Sequence, residues 1–266
     1  MNVLRSALLV MSCVVSPLLA VDPGLLQYAA PGATEIAGIS VGRASSSNLA
    51  AGLVKEIGAA GVQEVLVASN RGQGLIAARG SFDRNLVAGK LVESYKGVEL
   101  YRARRGSGLV AFPEASVALY GEMDVLKAAL DQRGATTTAL DPVLSAKVDD
   151  VGARYDAWFA AKPTPGMKFG KAKLPAQTME LVSGGLTFGS IVRLDAEALM
   201  KTEQDAQALV QMVKFFSSMS ETGNAKPLLQ NADVRAEGAK FVFSTSATEA
   251  DIELMLGLRK KTAKVR

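Results

Sequence analysis

A single cysteine and no histidine at all limit what this 266-residue chain can fold into. The one thiol, Cys13, lies inside an apolar run from Ala7 to Ala20, broken only by Ser12, Cys13, Ser16 and Pro17 and preceded by the basic Arg5. Such a run is short for a membrane span and has the pattern of a secretory signal. Cleavage is expected after Ala20, giving a mature start at Val21-Asp22-Pro23, although Leu18 stands where a signal peptidase prefers a small residue. A membrane tether formed by an uncleaved signal anchor is the alternative. Acylation of Cys13 does not fit, because Met11 is a poor upstream residue and the apolar run continues beyond it.

Export permits disulfides, yet removing 20 of 266 residues leaves 246 with neither cysteine nor histidine. Disulfides, thiolate nucleophiles and cysteine or histidine metal sites are therefore excluded from the mature chain. So is the commonest general base near neutral pH. Stability has to come from a packed core. An apolar content of 48% over this length supplies one large domain or two ordinary ones. No second stretch is long enough to cross a membrane.

The net charge of +4 is a property of the tail. Arg259, Lys260, Lys261, Lys264 and Arg266 close the chain without an acid among them, and setting these and Arg5 aside leaves 24 basic against 26 acidic residues. The body is slightly acidic.

Short elements follow one another, punctuated by Gly, Ser, Thr and Pro. A helical turn over Pro23–Tyr28, a strand over Thr34–Val41 and an amphipathic helix over Asn48–Ala59 are expected first. Strands at Val62–Ser69 and Gly74–Ser81 flank a turn at Asn70–Gln73, and Leu91–Tyr95 and Val98–Ala103 form a hairpin around Lys96-Gly97. Strands at Leu109–Phe112 and Ser116–Tyr120 lead to a helix with Met123, Leu126 and Leu130 inward. Gly134–Ala139 reads as a joint, so the first half is 21–134 and the second 141–258, followed by a basic tail at 259–266. Asp141-Pro142 starts a helix with Val143, Leu144, Val148 and Val151 on its apolar face. A strand with Trp158, the lone tryptophan, comes next. Then come strands over about Gly185–Met200 and a helix capped at Thr202 with Leu209, Met212, Val213 and Phe216 on one side. A hairpin through Gly238 and a final helix capped at Thr248 complete the half.

The two halves share a pattern but almost no residue identity. The expected class is α+β: two similar halves, each a small antiparallel sheet covered on one face by helices, with a ferredoxin-like arrangement as the simplest version. Several segments carry a resemblance: Glu35–Val41, Ala78–Asp83, Lys96–Tyr101, Asp124–Arg133, Thr202–Gln211 and Asp233–Phe243. On these the chain resembles a group of uncharacterised exported bacterial proteins with two tandem α+β halves. The resemblance implies a duplicated fold and carries over no catalytic residue.

Two motifs suggest chemistry. Gly38-Ile39-Ser40-Val41-Gly42 matches the nucleophile elbow G-x-S-x-G, but Ser40 has no histidine to take its proton and no S-x-x-K occurs. Small residues packing at a strand end explain it more simply. Gly72-Gln73-Gly74-Leu75-Ile76-Ala77 matches a dinucleotide fingerprint, which needs a long helix at its end; Gly80 argues for a hairpin strand instead. Gly166–Lys171 resembles a P-loop one residue short and without the Ser/Thr for magnesium. Lys162, Lys168, Lys171 and Lys173 form an acid-free stretch around Phe169 that, with Arg259, Lys260, Lys261, Lys264 and Arg266, could contact an anionic partner; a solvated loop and tail are the plainer reading. Of two acidic pairs on helices, Asp149-Asp150 is expected to face solvent, and Glu249–Asp251 sits at a helix start, where acids are favourable.

The expected role is therefore that of an exported, non-enzymatic protein acting through its surface, on an envelope protein, an anionic surface or an assembly. No cofactor and no nucleic acid are expected. The alternatives are an envelope hydrolase using carboxylates or lysine, and a carrier of a small apolar ligand held between the halves.

Overall fold

The computed structural model describes residues 21–29, 32–44, 47, 61–70, 72–104, 106–134, 140–165, 168–169, 172–173, 176–219 and 231–255. The expected signal over 1–20, the helix expected over Asn48–Ala59 and the tail at 259–266 lie outside them. Among the described residues no helix is long and apolar enough to cross a membrane.

The protein is α+β. Twelve strands join in one antiparallel sheet. In chain order they are β1 (Glu35–Ser40), β2 (Val62–Asn70), β3 (Gln73–Gly80), β4 (Ala88–Tyr95), β5 (Val98–Ala103), β6 (Leu109–Glu114) and β7 (Val117–Gly121) from the first half. The second half adds β8 (Ala157–Ala161), β11 (Met179–Thr187), β12 (Ile191–Met200), β13 (Asp233–Glu237) and β14 (Lys240–Thr248). Between β8 and β11, β9 (Lys168–Phe169) and β10 (Ala172–Lys173) form a separate two-stranded pair. Across the sheet the order is β13-β14-β12-β11-β8-β1-β2-β3-β7-β6-β5-β4.

One sheet thus crosses the joint between the expected halves, because β1 pairs antiparallel with β8 from Glu35↔Ala161 to Ile39↔Ala157. The ferredoxin-like arrangement is not what the strands adopt. That arrangement interleaves strands through helical crossovers, whereas β1, β2 and β3 lie side by side in chain order and β4 to β7 follow as a meander. Helical interleaving occurs where β12 leads through a helix to β13, with β14 inserted between them.

Seven helices are described: α1 (Pro23–Leu26), α2 (Val41–Ala44), α3 (Arg84–Val87), α4 (Met123–Asp131), α5 (Pro142–Arg154), α6 (Glu203–Met219) and α7 (Glu249–Met255). On one face, here the near face, α1 lies on β3, α4 on β3, β6 and β7, and α5 on β8 and β11. Their apolar side chains merge into a cluster running from Leu25, Leu75 and Leu126 to Leu144, Trp158 and Leu181. That cluster spans both halves, and burying each such large side chain contributes roughly 1.5–3 kcal/mol. On the far face, α6 covers β12, β13 and β14, and α2 and α7 share a smaller cluster with Val192 and Ala247. Also on the far face, Val67 and Ile76, cross-strand neighbours, are more than a third exposed.

Local sequence explains the boundaries. Asp141 accepts hydrogen bonds from the Val143 and Leu144 N–H groups, with Pro142 in the first turn of α5. Leu144, Val148 and Val151 are buried at helical spacing, while Val143, expected on the same face, is 56% exposed. In α6 the buried stripe is Ala206, Leu209 and Val210 with Val213 against it; Met212 turns outward at 42% exposed. At the β4–β5 turn, Lys96 and Gly97 both take positive φ (48° and 76°). This is the two-residue turn whose twist matches that of its strands.

Candidate binding surface

On the near face α5 reaches as far as β11, and no described helix packs on that face of β12, β14 and β13. Strand periodicity fills that stretch with charge. In β12 the buried Val192, Ala198 and Met200 face the far side, so Arg193, Asp195 and Glu197 share the near side. In β13 the buried Val234 faces α6, and Asp233, Arg235 and Glu237 point the other way. Val242 and Ser244 of β14 lie between them, opposite Arg235 and Asp233 in register. Val151, Arg154 and Tyr155 at the end of α5 form one wall of a trough of about 280 Å³.

Four cations (Arg154, Arg193, Arg235, Lys240) and four acids (Asp195, Glu197, Asp233, Glu237) line it. Glu197 is the anchor. Its carboxylate receives Lys147 Nζ at 2.7 Å and the Ser183 hydroxyl at 3.3 Å, with Lys240 Nζ at 3.6 Å. Lys147 also reaches Asp150 at 3.1 Å, and Arg154 pairs with Asp150 at 3.3 Å while its guanidinium sits 4.9 Å from the Tyr155 ring centre. Asp195 accepts the Ser244 hydroxyl at 2.6 Å and pairs with Arg193 at 2.9 Å. Arg235 pairs with both Asp233 and Glu237.

The surroundings keep Glu197, Lys147 and Arg154 charged. Burial pushes the Glu197 carboxyl up, but the Lys147 hydrogen bond and nearby cations outweigh it and hold it below the usual range. Burial likewise opposes the charge on Lys147, and its bonds to Glu197 and Asp150 prevail and raise it. Arg154 is raised by Tyr155 and Asp150 against the effect of burial, and Tyr155 is raised chiefly by burial, so the phenol stays neutral. At neutral pH the trough is a field of fixed charges. A carboxyl serving as an acid catalyst has to retain its proton there, and Glu197 is displaced in the opposite direction.

The described residues among those singled out from sequence lie elsewhere. Lys162 is held by Asp141 at 2.6 Å. Lys168 and Lys173 are cross-strand partners in the β9–β10 pair. Lys171, Arg259, Lys260, Lys261, Lys264 and Arg266 fall outside the described residues. Ser40 ends β1, and the Gly38 beside it lies beneath the Trp158 ring. Gly72 sits in the β2–β3 turn and Gly74–Ala77 run along β3, so the dinucleotide fingerprint has strand, not helix, after it. Asp149 faces solvent. Thr248 caps α7 by accepting the Asp251 N–H at 3.3 Å. The trough is not among the sites expected from sequence, although Arg193-x-Asp195-x-Glu197 and Asp233-x-Arg235-x-Glu237 announce it as alternating charge on two strands.

Fold and site together define an α+β protein with a single broad antiparallel sheet, whose near face carries helices on its inner strands and a mixed-charge trough beside α5. No known family matches the chain, and no curated protein matches it significantly. Among solved structures it is similar to TP0453. Crystal form III gives a TM-score of 0.54 at 13% identity, covering 88% of this chain and 98% of that one. Crystal form I gives 0.53 at 12% over 88% and 97%, and crystal form IV 0.51 at 12% over 85% and 94%. At such identity the likeness establishes the fold.

Proposed function

We propose that the protein is exported and non-enzymatic, and that it holds an envelope partner through the trough beside α5. One observation carries this reading: a part of the near face that no described helix covers is lined by both signs of charge, with Glu197 and Arg154 held in their ionised forms. The inner ion pairs around Glu197 fix its floor. The outer ones, Arg193–Asp195 and Arg235 with its two acids, have arginines about half exposed or more. Exposed pairs of this kind contribute only about 0–1 kcal/mol each, so a partner's charges can replace them at small cost. Such recognition selects a segment that itself carries both signs and loses strength as salt rises. Export rests on the Met1–Ala20 segment. The division into two similar halves is supported by the sheet, in which a returning hairpin, β6–β7 or β13–β14, lies outside three consecutive neighbours on each side of β1/β8.

The test is crosslinking of the full chain in the envelope fraction, beside Arg154→Glu/Lys240→Glu and a chain ending before Arg259. A single crosslinked partner that is lost on charge reversal and in high salt, but kept without the tail, supports the trough. Crosslinking unaffected by reversal would remove it as the interface.

A further inference from the structure

Among the described residues the near-face core begins at Val21, the first residue after the expected cleavage position. Val21 is 4% exposed and belongs to the large cluster, and Asp22 next to it caps α1 by accepting the Gly24 N–H at 2.7 Å. The start of the mature chain is therefore built into the fold. Opposite it on β2 stands Glu64, whose carboxylate accepts the Asp22 N–H at 3.2 Å. Among the described residues Glu64 has no ion pair. The nearby Arg79 is engaged elsewhere, with Asp22, with the Ser116 hydroxyl at 3.3 Å and with Glu114 at 4.0 Å. Burial raises the Glu64 carboxyl above its usual range, and the bond from Asp22 only partly offsets this. Arg43 and Arg79 also lower it through space, but neither is within ion-pair distance, so among the described residues this half-buried carboxylate has no cation in direct contact.

Backbone geometry supplies one. Successive backbone nitrogens are separated by three bonds, so the Val21 nitrogen is one residue from the atom already bonded to Glu64. In the uncleaved chain that nitrogen is a neutral amide.

We propose that processing after Ala20 completes the fold, the Val21 ammonium so released pairing with the Glu64 carboxylate. The inference rests on the export reading. In the step, a host signal peptidase adds water across the Ala20–Val21 peptide bond. Ala20 leaves with a carboxylate, and the Val21 nitrogen takes up a proton to become an ammonium. The pair then links the mature N-terminus to β2 and marks processed chains as distinct from unprocessed ones.

The full chain, expressed in a host that exports it, provides the test. The N-terminus of the exported product is sequenced, and acylation of its α-amine is followed against pH, folded and in urea. The expected product starts at Val21. Pairing holds its amine protonated above the ordinary range, so at neutral pH it reacts about tenfold more slowly folded than in urea. Glu64→Gln restores fast acylation in a chain whose circular dichroism confirms folding. Should that variant not fold, the pH profile of the natural sequence decides, because pairing moves the midpoint of the folded amine upward whereas burial alone does not. A product starting elsewhere overturns the cleavage position itself. A Val21 amine equally reactive folded and unfolded overturns the pairing while leaving the cleavage position intact.

Discussion

Gly38 shows how a residue suggestive of catalysis is explained by packing. A Cβ placed there would lie 2.4 Å from Cζ2 of Trp158, far inside contact distance. The indole needs a bare backbone on β1 to enter the core, where it is 4% exposed. Gly38→Ala is expected to lower stability by about 1–3 kcal/mol, as overpacked cores do, measurable as a shift in the urea midpoint. Ser40→Ala should leave both that midpoint and partner crosslinking unchanged. The sequence displayed Gly38-x-Ser40-x-Gly42 openly, but the partner that explains its first glycine is 120 residues away on β8, across a strand pairing that no local pattern encodes. Tyr28 offers a second test at this scale. Burial and its bond to Glu114 at 3.1 Å raise its pKa from 10.0 to about 12. A raised folded value means stability present below pH 10 and lost as pH climbs from 10 toward 12. Tyr28→Phe should lack that alkaline component when unfolding is followed across this window.

Elements with side-chain signals at their ends were legible in sequence, and those set by tertiary packing were not. Thr202 accepts the Asp205 N–H at 3.1 Å and starts α6 where the capping pattern placed it. Thr202→Ala should cost about 1 kcal/mol in unfolding free energy. The hairpins β2–β3, β4–β5 and β13–β14 were equally visible through their glycine turns. The beginning of β11 was not, because Gly184-Gly185 reads as a break although both residues lie within the strand. The trough was missed because β12 and β13 are separated in sequence by α6 and meet only through β14. Its anchoring pair is also testable. The Glu197 carboxyl lies below its usual range, so its contribution is present above the unfolded pKa of about 4.3 and disappears as pH falls through the folded value. Removing the amine with Lys147→Met leaves burial to dominate. Acid destabilisation should then begin at higher pH than in the natural protein, seen as an earlier fall in urea midpoint between neutral pH and about pH 4.

At the scale of the whole molecule, the two halves are expected to unfold together. They share β1–β8 pairing and one apolar cluster. They are also fastened by Arg43 of α2, which donates to the Gly152 carbonyl at 2.8 Å and the Tyr155 carbonyl at 2.7 Å at the end of α5. Trp158 lies at that junction and is the one tryptophan, so its fluorescence reports on the seam. Fluorescence and far-ultraviolet circular dichroism should trace a single coincident urea transition. Separate transitions would mean that each half holds itself together.

The sheet's two outer strands determine how the folded protein behaves when crowded. β13 is five residues long with alternating charge, and β4 has register shifts on both sides of Leu91. Short, charged or bulged borders are poor templates for a further strand. Growth of fibrils from intact molecules is thereby suppressed, and aggregation has to start from opened chains. Its lag time should accordingly track the rate of global unfolding, not the concentration of native protein.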